Sequence, residues 1–278
     1  MNPDKKIKHH NHRYPLNQNM LGSKFKSQFG IVLSFCLMFI TGNAMAQNKV
    51  ENLVQRDFNP YHFGFILSVN QMNFSLKLNE AAIGKVTPTP DVFEFSNVDS
   101  VKFLGVNNEP VIGFTVGIVS NLRLAPQLDL RFIPSLSFGE RKLNYSFERF
   151  ESDTTFNQSV TKSIRSTHID LPLYVKYKSK RANNIRAYIL GGVKYTFDLA
   201  ANSKKNLEAN DEKLILAKHD LLIEAGGGFD FYFPYFKFGV ELKMSYGLNN
   251  LLVSEPNVYT DGIDRLNSKL FQISFTFE

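Results

Sequence analysis

The chain has 278 residues, 43% of them hydrophobic, with 32 Lys and Arg against 26 Asp and Glu and a single cysteine. One cysteine excludes an intramolecular disulfide and any thiolate metal cluster. Six of the cations and one of the acids (Asp4) fall in residues 1–46, so the remainder carries 26 against 25 and gives no compositional support to nucleic-acid binding.

Residues 1–46 read as a secretory signal peptide. Lys5, Lys6, Lys8, Arg13, Lys24 and Lys26 precede the apolar run IVLSFCLMFI, and TGNAMAQ follows with Ala44 and Ala46 at the small-residue positions a signal peptidase reads. Cleavage is expected after Ala46, and Met20 would begin a leader of more ordinary length. Cys36 has Phe35 before it, which argues against a lipoprotein; the run is also too short to span a bilayer comfortably as an uncleaved anchor. Residues 47–60 are then expected as a periplasmic N-terminal segment and 61–278 as the folded domain.

From Tyr61 onward the sequence alternates with a period of two, the mark of strands with one apolar and one polar face. HFGFILSVN sets Phe63, Phe65, Leu67 and Val69 against His62, Gly64, Ile66 and Ser68; at Asn70–Gln71 the apolar register passes to Met72, Phe74 and Leu76, which predicts a bulge. VIGFTVGIVS and QLDLRFIPSLSFG follow, the second with Asp129 and Arg131 on its polar side. HIDLPLYVKY carries Asp170, Tyr174 and Lys176 there, and IRAYILGGVKYTFD carries Arg186, Tyr188, Lys194 and Asp198. DLLIEAGGGFDFYF has Asp220, Glu224 and Asp230, FKFGVELKMSYGL has Lys237, Glu241 and Lys243, and KLFQISFTFE completes eight.

Long polar connections, Leu78–Pro110, Arg149–Thr167, Ala200–Lys218 and Asn249–Asn267, alternate with short ones at Asn121–Pro126, Ser179–Asn184 and Phe233–Tyr235. That alternation predicts an all-β, eight-stranded antiparallel up-and-down transmembrane barrel in the outer membrane, with the short turns periplasmic. A soluble sandwich would bury the same apolar faces, and a lipocalin-like barrel would turn them inward. Aromatic residues near both strand ends (Phe63, Tyr177, Phe233 and Phe277; Tyr195, Phe197 and Tyr246) favour lipid contact, as girdles do. So does a last strand with Phe277 as its penultimate residue, the form that closes outer-membrane barrels.

In a barrel this small the polar faces meet inside. Asp129, Arg131, Asp170, Lys176, Arg186, Lys194, Glu224, Asp230, Lys237, Glu241 and Lys243 are therefore expected as an interior charge network, mutually paired because an unpaired buried charge is costly. A pore or ligand site is the functional reading of the same residues. Inward glycines such as Gly192, Gly226 and Gly228 predict close approach by other groups across a narrow lumen. AGGGF lacks the Lys-Ser/Thr ending of a phosphate loop. His62, His168 and His219 lack metal-ligand spacing, and no nucleophile motif marks a serine for His168 to activate. No catalytic residue, cofactor or metal is expected. Of the long loops, VTPTPDVFEF, with Val92, Phe93 and Phe95, is expected to cover the mouth or dock on a partner; AANSKKNLEANDEK reads as a solvated loop.

RDFNPYHFGFILSVNQMNF, LRFIPSLSFGERKLNY, LPLYVKYKSKRANN with ILGGVKY, and the final FTFE together resemble the PorT (SprT) family of outer-membrane barrels. The resemblance runs from about Arg56 to Glu278. It implies an accessory component of the type IX secretion and gliding-motility machinery of Bacteroidota, without enzymatic activity, partnered by outer-membrane lipids and other secretion-machinery proteins. A small OmpA- or OmpX-like porin or structural barrel and a lipid-modifying enzyme are the alternatives; steady conductance would mark the porin, and lipid turnover the enzyme.

Overall fold

The computed structural model describes residues 50–88, 98–151, 154–201, 214, 216–253 and 258–278. The leader with Ala44 and Ala46, the loop residues Val92, Phe93 and Phe95, and 202–213 lie outside the described residues.

The described residues form ten strands: β1 (Tyr61–Leu78), β2 (Val86–Pro88), β3 (Ser100–Ala125), β4 (Leu128–Phe132), β5 (Ser135–Glu151), β6 (Thr154–Lys178), β7 (Ile185–Asp198), β8 (His219–Tyr232), β9 (Lys237–Gly247) and β10 (Ile263–Phe277). All pairings are antiparallel, and the ring closes because β1 pairs with both β10 and β3. β4 and β5 share one position between β3 and β6, so the ring has eight staves; β2 adds a short edge to β3. The interruption at Ile133–Pro134 has a chemical cause. Pro172 on the facing strand has no N–H to offer, and its carbonyl instead accepts from Ile133 N at 3.3 Å, while the Pro134 carbonyl accepts from Ile118 N at 3.0 Å.

The apolar parity of each stave faces outward. Phe65, Leu67 and Val69 on β1, Phe114 and Ile118 on β3, Leu171, Leu173 and Val175 on β6 and Ile273 on β10 are all exposed, while their polar neighbours are buried. The outward apolar run on β6, Ile169–Tyr177, spans nine residues. At about 3.3 Å per residue and a tilt of about 40° that is roughly 23 Å, close to the apolar band of an outer-membrane barrel.

Above this belt, toward the long connections, the two faces exchange chemistry. The inward side becomes apolar: Met72 and Phe74 on β1, Leu143, Tyr145 and Phe147 on β5, Val160 and Ile164 on β6, Leu266 and Leu270 on β10 are buried. The outward side becomes polar, as in Glu140, Lys142 and Asn144. This corrects two sequence expectations. No bulge occurs at Asn70–Gln71, where the β1–β10 register runs unbroken to Lys77; the parity slip records the interior turning from polar to apolar. And Arg149–Thr167 is largely strand, as is the Ser100–Pro110 end of the first long connection, so that β3, β5 and β6 rise beyond the belt as a three-stranded extension. Its hydroxyl- and charge-rich outward face hid the alternation.

Candidate functional site

The interior of the belt is filled by side chains. Glu241 on β9 accepts from Arg131 on β4 and from the Tyr188 hydroxyl at 2.9 Å, with Lys243 at 3.3 Å. β4 and β9 stand on opposite sides of the ring, so the Arg131–Glu241 pair spans the lumen. Glu224 gathers Lys194 at 2.8 Å, Lys243 at 3.6 Å, and the Tyr174 and Ser245 hydroxyls at 2.6 Å each. Lys176 pairs with Asp230 at 2.9 Å and lies 3.5 Å from the Tyr188 ring centroid; Asp170 accepts from Ser137 at 2.5 Å and Thr196 at 2.7 Å. Asp129 pairs with Lys178 at 2.7 Å.

Of the eleven network residues named from the sequence, nine are buried in the lumen. Arg186 and Lys237 are half-buried at the short-turn mouth. Lys237 pairs there with Glu278 at 2.5 Å, and Arg186 lies 5.5 Å from the Tyr232 ring. The sequence reading gave no role to Glu278, which also accepts from Arg131 at 3.1 Å and Asn121 at 2.8 Å, nor to Lys178 and Arg141. Inward parity was the available signal for Glu278 and Lys178. Arg141 is fully buried at the boundary with the apolar layer, its guanidinium 4.7 Å from the Phe74 ring and 3.1 Å from His168 Nε2. Beside them Asp198 stands 3.9 Å from His168.

Close packing also explains the inward glycines. A Cβ on Gly192 would collide with the Leu173 carbonyl, and one on Gly228 with the Val240 carbonyl and, at 2.9 Å, the Tyr188 hydroxyl. These contacts come from the neighbouring strands β6, β7 and β9 of the same sheet and not, as the sequence had led one to expect, from across the lumen.

Both ends are covered. At the short-turn end, Val50–Pro60 crosses the mouth from β1 to the opposite wall. Asn184, in the β6–β7 turn, accepts from Asn52 N at 2.9 Å and donates to the Val50 carbonyl at 3.1 Å. Asn52 also donates to the Tyr232 carbonyl at 3.0 Å and accepts from Arg181, whose guanidinium stacks 3.9 Å over the Tyr232 ring. At the other end Leu214, Leu216, Leu251 and Tyr259 pack with the inward residues of the extension into one apolar cap. Backbone bonds from Ala217 N to Leu251 O and Leu251 N to Leu266 O, both 2.8 Å, tie the cap down. On its outer side a groove of about 390 Å³ runs between Lys85, Phe103, Asn250 and Asp264.

His62, His168 and His219 lie at the short-turn mouth, at the lumen–cap boundary, and outside beside Tyr195. Among the described residues no group of three His, Cys, Asp or Glu is placed to hold a metal ion.

A family profile described as outer membrane protein beta-barrel domain matches residues 45–253. No curated protein matches the sequence. Among solved structures, the outer membrane protein OprG from Pseudomonas aeruginosa aligns with 77% of this chain and 92% of its own, at 11% identity and a TM-score of 0.33, a likeness too loose to carry an argument.

Proposed function

Since this chain belongs to the outer membrane protein beta-barrel domain family and stands in the outer membrane, we propose that it serves there as a non-enzymatic accessory component of protein export, of the type IX secretion and gliding kind, through contacts made outside the bilayer. The observation that carries this reading is the Arg131–Glu241 pair joining opposite walls beneath a closed cap and above a closed mouth. A filled eight-stave lumen offers no path to a polypeptide, so a role in export has to come from the surfaces beyond the belt. The resemblance in LPLYVKYKSKRANN and ILGGVKY supports the type IX assignment.

Deleting the gene and comparing secreted proteins tests it. Loss of exported proteins, restored by the intact gene, is the expected result; an unchanged secretome sinks the export role. A plain structural barrel is the second reading, favoured by the same closed lumen, and predicts weakened envelope integrity with normal secretion.

A further inference from the structure

β6 pairs with β5 through seventeen consecutive residues, Ser135↔Asp170 to Glu151↔Thr154, without a register shift. On its other side the pairing with β7 begins only at His168↔Asp198. From Thr154 to Thr167 β6 is therefore an edge strand to which no described strand is added. Three bonds fix which groups point to that edge. The Pro172 carbonyl and the Lys178 N–H bond toward β4 and its flanking turn, whereas the Thr167 N–H reaches Asp198 on the β7 side at 3.4 Å. N–H and C=O of one strand residue point the same way and alternate along the chain. Thr155, Asn157, Ser159, Thr161, Ser163 and Arg165 thus turn six donors and six acceptors outward along the edge.

Natural edges are blunted by bulges, proline, inward charge or shortness. This one is long and regular and has no proline before Pro172; Lys162 lies over the Tyr259 ring, 4.5 Å from its centroid. The stretch turns one exposed cation, Arg165, to its outer face and contains no acid. On its inward side Phe156 is 50% exposed at the rim of the cap, an apolar surface for a neighbouring strand to cover. A second copy in the same membrane fits poorly. Barrel strands tilt by about 40°, and a two-fold axis along the membrane normal reverses that tilt, so two such edges would cross at about 80°.

We propose that the Thr154–Thr167 edge captures an extended segment of a different polypeptide as an added strand at the cell surface, one with an apolar residue to set against Phe156 and an acidic residue near Arg165. This rests on the contact-based role above and names its surface. Amide hydrogen exchange over 154–167, read by mass spectrometry, tests it on the full chain in outer membranes of the producing cells and on the purified protein in detergent. In the membranes the edge amides are expected to exchange about tenfold more slowly, and purification should abolish the difference. The pair Ser159→Pro and Thr161→Pro removes two edge donors without touching the β5 ladder, so the barrel should keep its heat-modifiable mobility while the membrane protection is lost; Val160→Pro, which breaks the ladder, should destabilise it.

Equal exchange in both preparations overturns the proposal. Protection persisting in dilute purified protein overturns it in favour of the chain's own residues, and protection that rises with protein concentration does so in favour of a second copy. Exchange is read without reference to secretion, so this inference and the export role fail separately.

Discussion

Lys176 and Asp230 are both fully buried and bonded at 2.9 Å, so neither charge has water to replace its partner. Asp230→Ala would leave an ammonium in the lumen without its main partner and is expected to cost about 3–5 kcal/mol, whereas Lys176→Met combined with Asp230→Leu should be near neutral. Urea midpoints of the folded, heat-modifiable gel band measure both; equal loss in the single and double variants would mean the pair is not what fails. Side-chain alternation made the membership of this network readable, because an inward polar residue in a narrow barrel has nowhere else to go. Which charge meets which was not readable: Arg131 and Glu241 are 110 positions apart and meet only because ring closure sets β4 against β9.

Among the elements, the extension of β3, β5 and β6 is where sequence and structure part. In LNYSFERF the apolar residues Leu143, Tyr145 and Phe147 alternate as cleanly as in any stave, yet they point inward, opposite in sense to the belt below. A reading tuned to one rule, apolar outward, ends the strand at that reversal. Since Phe147 is completely buried in the cap against Tyr145 and Tyr259, Phe147→Ala is expected to cost about 3–5 kcal/mol. Its effect should appear as protease sensitivity at the long connections before the barrel itself loses heat-modifiability; simultaneous loss of both would make cap and barrel one cooperative unit. The strap over the opposite mouth is held by hydrogen bonds from Asn52, Arg181 and Asn184 rather than by apolar burial. Removing residues 50–58 should therefore leave the folded band and its urea midpoint nearly unchanged, within about 1–2 kcal/mol for the lost polar contacts.

For the molecule as a whole, three successive closures make conduction the sharpest test. Purified protein in planar bilayers is expected to give no steady channel, with the strap present or removed, because the Arg131–Glu241 crossing lies deeper than the strap. Steady openings abolished by neutralising Glu224 or Glu241 would overturn the closed lumen and revive the porin reading. The eight staves, their order and the outward apolar faces were legible because long and short connections alternate and the belt obeys a single periodicity. The cap was not, since it is completed by residues such as Leu214, Leu251 and Tyr259, which lie outside the strands in separated stretches with no alternation of their own.

The reversal of faces above the belt also bears on the lipid. A transmembrane helix meets a bilayer of the wrong thickness by tilting or kinking; eight staves locked in register can do neither cheaply. On β5 the change from Phe138 to Glu140 takes one step of the pleat, and on the inner side Arg141 gives way to Leu143 just as abruptly. On this strand there is no graded zone between the apolar and the polar surface. Surrounding lipids must stretch or compress to meet that line, so the protein carries its own ring of altered bilayer thickness and would gather with neighbours whose apolar bands are the same height.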